Sequence, residues 1–60
     1  MSKEAFINYA VKVGRDYPEL REEIQDTFEL ALSEIEDGGS PEHEWELAEG
    51  HIAELVEDLE

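Results

Sequence analysis

SPEHEWELAEGHIAELVEDL, residues 40–59, is the stretch whose reading decides the fold. It reads as one helix. Ser40 is a good N-cap, and Pro41 has the fixed φ that suits a first helical turn. Glu42 and Glu44 stand where the helix dipole favours negative charge. Trp45, Ala48, Ile52, Leu55 and Leu59 recur at helical spacing and form one apolar stripe. Outside that stripe only Leu47 and Val56 are large and apolar.

Working outward, Asp37-Gly38-Gly39 ends the segment before it, with Gly38 in the left-handed C′ position. That segment, residues 17–36, carries the stripe Tyr17, Leu20, Ile24, Phe28, Ala31 and Ile35. Asp16 and Glu19 have capping-box spacing at its start, and Pro18 is tolerated in its first turn. So short a link between two long helices makes them antiparallel neighbours.

Residues 3–13 predict a shorter first helix. Ser2 caps it, Phe6, Tyr9, Ala10 and Val13 share a face, and Gly14 is expected to end it in the left-handed region. Ile7 and Val11 extend its apolar surface, so it should lie in a groove between two other helices. The expected fold is all-α: a three-helix bundle in which the short first helix packs on an antiparallel helical hairpin. Its predicted core is Phe6, Leu20, Ile24, Phe28, Ala31, Ile35, Trp45, Ala48, Ile52, Leu55 and Leu59.

Sixty residues make a single domain, residues 1–60, with a small core. With no cysteine there are no disulfides or thiolate metal sites, which leaves self-association as the common remaining reinforcement. No apolar run approaches the ~20 residues of a membrane span. The first residues lack the apolar core and cleavage site of a secretory signal, so a cytoplasmic location is expected.

Chemistry-bearing motifs are sparse. His43 with Glu46, and His51 with Glu54, have a spacing that lets two side chains share a metal, but neither pair has a partner set on a facing helix. Counting from Asp37, a calcium loop would place oxygen donors where Gly39 and Pro41 stand, and Glu where Ala48 stands. Ser33 and Thr27 have no histidine at helical spacing. Carboxylates on solvated helix faces lack the burial that general acid–base catalysis uses. The reading is a non-enzymatic protein without metal or cofactor.

The charge is the functional lead. The formal net charge is −14, from 18 acids against 4 Lys and Arg. Residues 1–18 sum to +1 and residues 19–60 to −15, and no Lys or Arg follows Arg21. Like charges recur at helical spacing, as in Glu19–Glu23, Glu22–Asp26 and Glu42–Glu46, each costing a few tenths of a kcal/mol. The acid excess therefore opposes folding. It also disfavours direct contact with nucleic acid or an anionic membrane.

Three explanations compete. One is docking on a basic partner protein, including one that itself binds nucleic acid. The hairpin is roughly 28 Å long, a span of duplex DNA that carries about 16 phosphates, and residues 22–60 carry 15 acids. In composition the chain resembles nucleic-acid-mimicking inhibitors. The second is solvation in a high-salt cytoplasm, although Glu outnumbers Asp 14 to 4 where more Asp would be expected. The third is a structural or assembly protein whose acidity only keeps it soluble. We take the first. The contact surface is expected at Glu22, Glu23, Asp26, Glu29, Glu46, Glu49, Glu54 and Glu57, which lie off the core stripes.

The hairpin register adds an expectation of self-association. With the turn at Gly38-Gly39, Leu30 and Leu47 face the same side at the same height. Gln25, Ala53 and Val56 lie on the opposite side, where the first helix should dock. Leu30 and Leu47 would then stay uncovered, as a homodimer seam.

Overall fold

A computed structural model describes residues 1–60. The chain forms three α-helices: α1 Lys3–Asp16, α2 Arg21–Glu36 and α3 Pro41–Leu59, with a 3₁₀ turn, Pro18–Leu20, leading into α2. They run up, down and up, and there is no strand. α1 packs against both members of the hairpin, more closely against α3 than against α2. The molecule is an all-α three-helix bundle, as the stripes predict.

The helix ends show how the sequence makes them. At α1, Ser2 Oγ accepts the Ala5 N–H at 3.1 Å. At the end of α2, Gly38 adopts φ 104°. Its N–H donates to the Ile35 carbonyl at 3.1 Å and the Gly39 N–H to the Glu34 carbonyl at 2.9 Å. These are the two bonds of a Schellman cap, which satisfy carbonyls the helix leaves open. A Cβ on Gly39 would stand 2.8 Å from that Glu34 oxygen. Ser40 is the N-cap residue of α3, but its side chain makes no capping bond.

Two expected boundaries differ, the end of α1 and the start of α2. α1 does not end at Gly14; it runs on to Asp16 and closes with Tyr17 N–H on the Val13 carbonyl at 2.7 Å. Gly14 is buried inside the helix, and its carbonyl accepts the Arg21 Nε–H at 3.1 Å. The link to Arg21 supplies a reason to continue the helix that local pattern does not contain. Nor does a capping box form at Asp16–Glu19: Asp16 belongs to α1, and α2 starts without a side-chain cap. Pro18 instead nucleates a tight 3₁₀ turn, which suits its fixed φ.

The core is Phe6, Val13, Leu20, Ala31, Trp45, Ala48 and Ile52, with Phe6 and Ile52 fully buried. Ile24, Phe28, Ile35 and Leu55 are half-buried against it. Phe6, Phe28 and Trp45 form an aromatic cluster with centroid separations of 5.3 to 6.2 Å, within the range of favourable ring pairs. Leu59, expected in the core, is 47 % exposed: it is the last residue of α3, beyond Leu55 and Val56, the last side chains of that helix packed against the core.

Thr27 takes an inward place that the stripe reserves for larger residues. Its hydroxyl donates to the Glu23 carbonyl at 2.8 Å, so it is buried without an orphaned polar atom. Thr27, Ala31 and Ala48 are the small buried side chains where α2 and α3 face each other. Ile24 and Phe28 lie where α2 faces α1, and Phe28 also meets Trp45 of α3.

Candidate functional site

A groove of about 490 Å³ runs along the α2–α3 seam, on the side that α1 does not cover. Ala31 and Ala48 form its floor, with Thr27 beside them. Leu30 and Leu47 stand in it at 63 % and 56 % exposure. The hairpin register thus places the two leucines together and uncovered. Helix periodicity then selects their neighbours. Glu23, Asp26 and Glu34 lie seven and four residues before and four after Leu30. Glu44 and His51 lie three before and four after Leu47. All five line the groove, and no Lys or Arg does.

The expected acidic surface divides around this groove. Glu23 and Asp26 belong to its lining. Glu22, Glu29, Glu46, Glu54 and Glu57 are exposed but lie outside it. Glu49 is half-buried and close enough to Tyr9 of α1 that its charge, after partial burial of the ring, holds the phenol above its ordinary pKa. Glu49 is therefore on the α1 side of α3. Glu34, Glu44 and His51 were not among the expected site residues. The signal that finds them is proximity to the two leucines along each helix rather than charge.

His43 and His51 are both exposed. No three or more His, Asp and Glu side chains converge as a metal-binding group. No helix is long and apolar enough to cross a membrane. At the far end of the bundle the Tyr17 hydroxyl donates to Glu60 Oε1 at 2.7 Å. That bond first, then partial desolvation and the charges of Glu60, Asp16 and Glu19, raises the Tyr17 pKa.

Fold and groove together define a small helical bundle with one acid-rimmed apolar seam. Comparison with protein-family models, curated proteins and solved structures finds no match to this chain.

Proposed function

We propose that this is a small cytoplasmic, non-enzymatic interaction protein that docks on a basic surface of a partner protein through the α2–α3 face. The observation that carries the reading is the pairing of exposed Leu30 and Leu47 with a rim of Glu23, Asp26, Glu34 and Glu44 and no cation in the lining. Burying the leucines supplies affinity, at roughly 25 cal/mol per Å² of apolar area. The carboxylates select a cationic partner and speed encounter. The combination favours a partner surface that is basic and apolar together, such as one face of an amphipathic helix. If that partner binds nucleic acid with the same surface, occupancy displaces the DNA or RNA, which is how a nucleic-acid-mimicking inhibitor or regulator works.

A second reading, a homo-oligomeric assembly protein whose acidity serves only solubility or a high-salt environment, draws on the same two leucines. Both leucines are exposed in one groove, an apolar pair that a second copy would cover.

The deciding experiment is affinity capture from the native host at low salt, with partners identified by mass. The expected result is a basic protein that is released as salt rises, since the Debye length is only ~8 Å at physiological ionic strength. Capture should be lost with the variant Glu23→Gln, Asp26→Asn, Glu34→Gln, Glu44→Gln. Failure to retain a basic protein, or retention unchanged by the four substitutions, removes the docking reading and leaves the assembly one.

A further inference from the structure

The chain carries on its own surface a patch of the chemistry that fits its groove. A second groove, of about 600 Å³, lies between α1 and α2; Ile7, Val11, Ile24 and Phe28 line it together with Arg15 and Arg21. Ile7 and Val11, one helical turn apart, are 38 % and 55 % exposed. Lys3 Nζ lies 5.8 Å from the centre of the Phe28 ring. Every Lys and Arg of the chain belongs to α1 or is the first residue of α2. The outer face of α1 is therefore an apolar pair between Lys3 and Arg15 at helical spacing, with Glu4 the one acid beside it.

We propose that the occupant of the α2–α3 groove is this α1 face of a second copy of the chain. Val11 and Ile7 would meet Leu30 and Leu47, while Arg15 and the neighbouring cations would meet the carboxylate rim. Charge complementarity decides against the simpler leucine-on-leucine seam. That seam would press two rims of like charge together, at a cost that rises as water is excluded. The net charge of −14 does not veto the contact. At physiological salt, charges beyond about 8 Å are largely screened, so local charge governs the approach.

The two faces lie on opposite flanks of α2. Leu30 and Arg21 are nine residues apart, which at about 100° per residue is half a turn around the helix. One pair of molecules therefore cannot make both contacts at once. The contact is heterologous and leaves a free groove at one end and a free α1 face at the other, so association continues beyond a dimer. One face of a 14-residue helix makes an interface at the small end of the specific range. This goes beyond the basic-partner reading and is tested with purified chain alone, so a capture experiment that retains nothing does not bear on it.

The test is sedimentation equilibrium at physiological ionic strength, from micromolar to millimolar concentration. It compares wild type, the face variant Val11→Glu, Arg15→Gln and the groove variant Leu30→Glu, Leu47→Glu. All four replaced side chains are exposed, and circular dichroism checks that each variant keeps its helices. Should a Glu variant unfold, Val11→Gln and Leu47→Gln replace it. Wild type is expected to grow past the dimer, and each variant alone to stay monomeric. An equimolar mixture should stop at a one-to-one complex, the intact groove of one variant holding the intact α1 face of the other. A wild type that stays monomeric or stops at a dimer overturns the proposal. So does a face variant that still associates with itself, or a mixture that stays monomeric.

Discussion

The two ends of the bundle are closed by different means. Towards the turn end, Phe6 near the start of α1 and Trp45 near the start of α3 pack ring against ring with Phe28 at the middle of α2, and a Schellman cap closes the hairpin at Gly38-Gly39. At the far end, Val13 and Leu20 are buried, Leu55 and Val56 are half-buried, and Leu59 is exposed. There the Tyr17–Glu60 hydrogen bond joins the end of α3 to the start of the 3₁₀ turn. The rings lie in the half of the bundle nearer the turn, while burial continues through Ile52, Val13 and Leu20 and stops short of Leu59. With Leu59 exposed, α3 should open first from its C-terminus.

The largest effect is expected from emptying the aromatic layer. Phe6→Ala should cost about 3–5 kcal/mol, comparable with the whole stability of a domain this size at roughly 0.05–0.15 kcal/mol per residue. Leu59→Ala should change stability by no more than about 0.5 kcal/mol. Urea unfolding followed by Trp45 fluorescence checks both. Equal losses at the two sites would end the distinction between the two ends.

The glycines sharpen the comparison at intermediate size, and their signs differ. Gly38→Ala forces a side chain into a left-handed conformation, at about 1–2 kcal/mol. Gly39→Ala drives a methyl against the Glu34 carbonyl and should cost about 1–3 kcal/mol. Gly50 sits exposed within α3, and a Cβ there would have no neighbour within 4 Å. Gly50→Ala should therefore raise stability by up to about 1 kcal/mol through helix propensity alone. Thermal melts of the three variants read the signs directly; a stabilised Gly39→Ala would show that the turn can relax around the methyl.

The smallest effect belongs to the far-end hydrogen bond. The Tyr17 phenol has its pKa raised above 10.0 in the folded chain. The sign follows from linkage: the neutral phenol is favoured by folding, so its contribution is complete below pH 10 and is lost as pH rises through the folded value. Tyr9 is shifted the same way, by burial and by Glu49. Wild type should lose stability between about pH 9 and about pH 11, and Tyr17→Phe should lose less over that interval. Urea midpoints at the two pH values measure it. A Tyr17→Phe loss equal to wild type would mean that the bond adds nothing at this end.

Much of this was legible in residue order. The Gly-Gly-Ser-Pro junction places the turn, because only glycine accepts the left-handed cap and only the start of a helix accepts proline. The same junction sets the hairpin register, which pairs Leu30 with Leu47 from spacing alone. Ser2, Trp45, Ala48 and Ile52 likewise follow from local capping and helical period. The groove rim was only half legible. Charge alone singled out eight acids, of which Glu23 and Asp26 line the groove, while Glu34, Glu44 and His51 follow from being helical neighbours of the leucines.

Tertiary structure decided the rest. A stripe fixes a helix face roughly 100° wide, and which edge of that face meets which neighbour depends on packing. Here Thr27, with Ala31 and Ala48, is buried, while Ile24 and Phe28 of the expected stripe are only half-buried and lie where α2 faces α1. Arg21 reaches the Gly14 carbonyl across the 3₁₀ turn, and α1 continues through a glycine that local pattern reads as its end. Tyr17 finds Glu60 across 43 residues. Contacts between residues far apart in the chain leave no mark on the local spacing of either partner, and only the folded chain brings them together.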